Sequence, residues 1–111
     1  MSFDELLRCA RTGRVGAKDF RQKAKQAKNA HGDSLLHIFA AEGDDTAVAL
    51  LLQVGCEVNE QNNFGSTAID CAAWKGHADV VKRLLEAGAN LSVVDSTGFT
   101  VIENLRLMGK T

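Results

Sequence analysis

The sequence predicts an all-α helical solenoid of stacked helix–turn–helix units, and three observations carry that expectation. Glycines recur at a fixed interval: Gly32, Gly65 and Gly98 stand 33 residues apart, as do Gly43, Gly76 and Gly109, and as do Gly55 and Gly88. The residues between them repeat as well. Ser34, Thr67 and Thr100 align, as do Leu36, Ile69 and Ile102. Finally, Val48, Leu51 and Leu52, like Val81, Leu84 and Leu85, follow the i, i+3, i+4 spacing of a helix with one face to bury. One such unit cannot bury its own apolar face, whereas stacked copies can.

The elements follow in chain order. Residues 1–28 read as an N-terminal capping unit. Leu6, Leu7, Arg8, Cys9, Ala10, Arg11 and Thr12 fit a first helix that Gly13 ends. Ala17, Phe20, Ala24 and Ala27 then form a narrow apolar stripe at helical spacing, with lysines and arginines around it. A terminal unit needs one solvated face, which the basic residues supply. Two full units span 29–61 and 62–94. Each opens with turn chemistry: Asn29, Asn62 and Asp95 stand three residues before a glycine, where the side chain bonds the following backbone and glycine accepts a positive φ. The hydroxyls of Ser34, Thr67 and Thr100 are placed to cap a helix. That first helix is expected over 35–42 and 68–75, ended by Gly43 and Gly76. A second helix is expected over 46–54 and 79–87, closed by Gly55 and Gly88. Residues 95–111 read as a truncated C-terminal capping unit with a first helix only. That arrangement should leave Leu84 or Leu85 less covered than its counterpart, and it fits either a one-helix cap or a cut from a longer array.

Composition narrows the function. The chain has 111 residues, 45% hydrophobic and 24% charged, with no proline. This suits a folded domain rather than a disordered tract. No apolar run approaches the roughly 20 residues of a membrane-spanning helix, and the first residues lack a secretory layout. Cys9, Cys56 and Cys71 are odd in number and without C-x-x-C spacing, so they read as reduced thiols of a cytoplasmic or nuclear protein. Charge is uneven. Residues 1–31 hold eight basic against three acidic residues, a net of +5, and residues 32–111 hold five against eleven, a net of −6. Such a field bears on partners and encounter rates, not on the fold.

Catalytic motifs are missing from the sequence, which is therefore not expected to be an enzyme. It holds no G-x-S-x-G, no H-E-x-x-H and no Rossmann glycine cluster. Gly109, Lys110 and Thr111 read like the end of a phosphate loop, but Asn104 stands where that loop needs its first glycine. Single histidines among lone cysteines do not make a zinc site. No cofactor, metal or small-molecule substrate is expected.

The pattern resembles the ankyrin repeat, on the strength of Gly65-Ser-Thr-Ala-Ile-Asp-Cys-Ala-Ala-Trp-Lys-Gly-His, Leu84-Leu85-Glu-Ala-Gly-Ala-Asn and Gly32-Asp-Ser-Leu-Leu-His-Ile-Phe-Ala-Ala-Glu-Gly. The resemblance covers the whole chain. Departures lie at Leu35, Ala68 and Val101, where the family usually has proline, and at Asp70 and Glu103, where it usually has the histidine kept here as His37. The resemblance implies that His37 bonds neighbouring backbone.

The resemblance also implies that a target docks on the concave side, lined by turn tips and by the last residues of each first helix. Carried onto this sequence, the tips are Ala30, His31 and Asp33; Asn63, Phe64 and Ser66; Ser96, Thr97 and Phe99. The helix positions are Arg11 and Thr12, Ala41 and Glu42, Trp74 and Lys75, Leu107 and Met108. The framework requires no aromatic at these places, yet the only tryptophan and two of five phenylalanines fall there. Fully exposed, three such rings present roughly 450–750 Å², enough for a binding patch. The expected activity is therefore binding of a protein or peptide. Phe64, Trp74 and Phe99 are the expected anchors, Met108 and His31 lie beside them, and Lys75, Glu42 and Arg11 form a charged margin. Alternative readings are self-association or docking through the open C-terminal edge, and electrostatic binding of an anionic surface by Lys18, Arg21, Lys25 and Lys28. The lack of stacking aromatics on that strip argues against nucleic acid.

Overall fold

The computed structural model describes residues 2–16 and 18–103. Six helices occur among them: α1 (Phe3–Arg11), α2 (Lys18–Ala24), α3 (Leu35–Glu42), α4 (Asp45–Gln53), α5 (Ala68–Trp74) and α6 (Ala78–Glu86). Residues 101–103 begin a further helical turn, and no strand occurs among the described residues. The helices pair as hairpins, α1 with α2, α3 with α4 and α5 with α6, and the hairpins stack through α3 on α5, α4 on α6 and α1 on α4. This is the predicted solenoid. Leu107, Met108 and Ala17 lie outside the described residues.

The local chemistry explains the helix starts. Ser34 opens α3: its hydroxyl accepts from the His37 N–H at 3.3 Å, while the Ser34 N–H donates to His37 Nδ1 at 3.1 Å. Because Nδ1 accepts, the ring proton sits on Nε2, which donates to the Ser66 carbonyl of the next unit at 2.8 Å. Thr100 and Glu103 repeat this reciprocal cap, with a carboxylate in the imidazole's place. Thr67 departs from expectation. It stands at the start of α5, but its hydroxyl makes no capping bond and is buried without a partner. Asp44 caps α4 by accepting from the Ala47 N–H at 3.1 Å. Gly43 ends α3 in the left-handed conformation at φ 75°, as expected.

The core is a continuous apolar column. Leu6, Phe20, Leu35, Leu36, Phe39, Val48, Leu51, Ile69, Val80 and Leu84 are all buried. Phe20 and Ala24 of the expected cap stripe belong to it. Of the two leucines expected to lose cover, Leu84 is fully buried and Leu85 is exposed.

The turns form a bonded strip along one side. Asn29 Oδ1 accepts from the His31 and Asp33 N–H groups at 2.9 and 3.0 Å. Asn62 does the same for Phe64 and Ser66, and Asp95 for Thr97 and Phe99. Successive tips are joined through backbone bonds from Asn63 N–H to the His31 carbonyl at 2.9 Å and from Ser96 N–H to the Phe64 carbonyl at 2.8 Å. Gly32 is required here: its φ is +77°, and a Cβ would meet the Asn63 backbone nitrogen at 2.8 Å.

Candidate functional site

The turn strip and the C-terminal ends of the first helices present the expected side chains. Phe64 stands at the middle tip and is 57% exposed, Trp74 ends α5 at 50%, and Phe99 at the last described tip is 37% exposed. Each is held by backbone the framework has already pinned. The Phe64 N–H is held by Asn62, the Phe99 N–H by Asp95, and Trp74 lies within the last turn of α5. His31 is brought onto Phe64, ring centroids 6.4 Å apart at 28°. Among the described residues this is the one ring–ring contact, so Trp74 and Phe99 stand apart from it as separate exposed rings.

Of the expected charged margin, Arg11 and Glu42 are paired with each other. Arg11 grips Glu42 through two parallel hydrogen bonds, the Nη2–Oε2 one at 2.7 Å, and its guanidinium lies 5.1 Å from the centre of the buried Phe39 ring. Hydrogen bonding from Arg11 holds the Glu42 carboxyl below its ordinary value of 4.5. The two charges thus clamp the cap to the first full unit and largely cancel. Lys75 is exposed at the end of α5. A second bidentate clamp joins Arg83 of α6 to Asp45 of α4, at 2.6 and 2.8 Å.

The remaining polar residues serve the stack. The His77 side chain reaches across to the preceding unit: its Nε2 donates to the Ala41 carbonyl at 3.0 Å, and its ring lies against Gly43. Asn62 Nδ2 donates to Asp33 Oδ1 at 2.8 Å, another bond between units. Burial pushes the Cys56 thiol up to about 11 and the Cys71 thiol up to about 12, which removes thiolate character from both. Among the described residues no cluster of His, Cys, Asp and Glu has the geometry of a metal site, and no helix is long and apolar enough to cross a membrane.

The repeat geometry has a counterpart in known proteins. A family model described as ankyrin repeats, three copies, matches residues 6–95. This chain belongs to the ankyrin-repeat family. Ankyrin repeats are in general protein-interaction modules. The chain is similar to an ADP-ribosylation factor GTPase-activating protein of Arabidopsis thaliana, 34% identical over 89 residues that make up 79% of this chain and 12% of the relative. It is similar to an ankyrin and IPT/TIG repeat-containing protein of Schizosaccharomyces pombe, 37% identical over 63% of this chain and 6% of the relative. A probable E3 ubiquitin-protein ligase of Oryza sativa subsp. japonica is 41% identical over 57% of this chain and 13% of the relative. The chain therefore spans about an eighth or less of the length of these relatives, and what their names describe belongs to them. What is shared is the ankyrin stack.

Proposed function

We propose that this ankyrin stack binds a protein or peptide on the side formed by its turn tips and first-helix ends. Phe64, Trp74 and Phe99 are the apolar anchors and Lys75 is the free charge beside them. The observation that carries the reading is the exposure of three large rings on backbone that does not need them. With roughly half of each ring exposed, they offer about 200–350 Å² of apolar surface in all, divided among three separate anchor points rather than gathered in one patch. Aromatic anchors dominate interface energies. The hydrogen-bonded turn strip keeps their ordering cost on binding low. Arg11 and Glu42, each already paired, contribute shape rather than free charge.

The test is capture of partners from native lysate on immobilised protein, comparing wild type with Trp74→Ala plus Phe99→Ala. A partner retained by wild type and lost by the double variant, with unchanged circular dichroism, supports the reading. A partner set identical for both proteins refutes it. A second reading, binding of an anionic surface by the N-terminal cap, is favoured by Lys18, Arg21 and Lys25, all exposed; Lys28 is already engaged with Glu60 at 3.6 Å. Affinity that falls steeply with salt and with Lys18, Arg21 and Lys25 changed to Glu, but is indifferent to Trp74→Ala, would support that second reading.

A further inference from the structure

A second surface, whose lining includes none of the three anchor rings, lies at the far edge of the α5–α6 hairpin. There Ala73, Gly76, Val81 and Leu85 line an open hollow of about 450 Å³, flanked by His77 and Lys82. Shifted back by 33 residues, these four positions are Ala40, Gly43, Val48 and Leu52, identical in type at every place. The protein thus carries two copies of one groove, and it shows what fills the first.

The occupant of the first copy is α6. The His77 ring before that helix packs on Gly43, where a Cβ would meet it at 2.6 Å, and donates to the Ala41 carbonyl. The helix then lies along α4, fastened by Arg83 to Asp45. Val48 is fully buried there, while its twin Val81 is only partly covered. Leu52 is half-buried, while Leu85 is 44% exposed. Gly76 has nothing within 4 Å of where a side chain would stand. The first-helix layer, by contrast, runs on past α5, since Val101 is buried. Among the described residues the edge is therefore a step rather than a flat end.

We propose that this step is a docking site for one amphipathic helix of a partner polypeptide. The helix is preceded by a ring-bearing hydrogen-bond donor that packs on Gly76 and reaches the Trp74 carbonyl, the counterpart of the Ala41 carbonyl. Its apolar residues take the places that Val80 and Leu84 take in α6, extending the α4–α6 interface by one layer. Because Ala78 stands where Asp45 stands in the first copy, the occupant needs no cation matching Arg83.

The probe is a stapled helical peptide carrying residues 77–87 of this chain, titrated against the full chain by isothermal calorimetry. Saturable one-to-one binding is expected, weakened about tenfold or more by Leu85→Glu in the chain, the loss expected for a central interface side chain. A peptide with His77→Ala, which cannot disturb the folding of the chain, should bind more weakly than the parent. Phe64→Ala in the chain should leave binding unchanged, which separates this site from the aromatic side. Absence of saturable binding, or binding indifferent to Leu85→Glu, overturns the proposal. Dimerisation of the peptide-free chain that Leu85→Glu abolishes assigns the groove to a second copy and overturns it too.

Discussion

Thr67→Val should stabilise this protein. The Thr67 hydroxyl is buried, makes no capping bond to α5 and has no other partner. A hydroxyl left in that state costs about 1–3 kcal/mol relative to an apolar group in the same place. Valine keeps the β-branched shape and puts a methyl where the oxygen stands, so no void forms. Taking the low end, the gain is about 1 kcal/mol. With an unfolding entropy of about 2.1 cal/mol/K per residue, that raises the melting temperature by about 4 °C. The control is Ser34→Ala, at the same position one unit earlier. There the hydroxyl accepts from the His37 N–H, and its loss should cost about 1 kcal/mol. Urea titrations followed by circular dichroism read both variants on one scale, provided the slopes agree. If Thr67→Val lowers the midpoint as Ser34→Ala does, the Thr67 hydroxyl caps α5 in solution, and the account of an uncapped helix start is wrong.

Three more expectations follow from single contacts. Gly32→Ala and Gly98→Ala both force an alanine to positive φ, about +77° and +87°, at roughly 1–2 kcal/mol each. Gly32→Ala also drives its Cβ into the Asn63 backbone, whereas at Gly98 nothing lies within 4 Å, so Gly32→Ala should melt at the lower temperature. Acid should loosen the stack in a defined window. Glu42 and Asp45 are held below their ordinary values of 4.5 and 3.8 by hydrogen bonds from Arg11 and Arg83. The unfolded chain therefore binds more protons there, and this stabilisation is full above those values and lost as pH falls through the lower folded ones. A melting series from about pH 6 to 3 should be flatter for Glu42→Gln plus Asp45→Asn than for wild type, by the modest amount exposed ion pairs allow. Cys56 and Cys71, pushed up to about 11 and about 12, should react slowly with a disulfide reagent near pH 8, Cys71 more slowly, and both should react quickly in denaturant. Equal rates in native and denatured protein would contradict the burial that raises them.

The fold was legible because a stack is a local pattern repeated. Glycines at one interval fix the turns, and the i, i+3, i+4 apolar positions fix the helices. α3 spans the predicted residues, α5 ends one residue early at Trp74, and α4 and α6 each begin and end one residue earlier than predicted. What lay beyond the pattern depends on contacts between units. The grip of Arg11 on Glu42 joins residues 31 apart, off the period of the full units, because the capping unit is shorter. The Arg83–Asp45 pair joins neighbouring second helices 38 residues apart, so period matching alone does not find it. His77 illustrates the same limit. Its place after a helix-ending glycine suggests a local bond, but the next hairpin sits so close that the ring reaches back to Ala41. The exposure of Trp74, Phe64 and Phe99 followed from their falling where the framework asks for no ring. The stacking of His31 on Phe64 depends on how far apart successive tips stand, which the backbone bond from Asn63 to His31 sets.

The two proposed surfaces draw on opposite properties of one repeat. Along the turn strip, the positions that hold the backbone keep their chemistry, Asn29, Asn62 and Asp95, while the neighbours they hold change freely, His31 to Phe64 to Thr97. Recognition there rests on difference, because a target reads what varies between units on a rigid grid. At the edge the reverse holds. Ala73, Gly76, Val81 and Leu85 matter because they duplicate Ala40, Gly43, Val48 and Leu52, so whatever docks there must look like α6. A substitution at Phe64 should therefore change which partner binds the face and leave the edge untouched. A substitution at Leu85 should remove the edge site and spare the face. Neither should unfold the chain, since both side chains are exposed and the buried column from Phe20 to Leu84 does not depend on them.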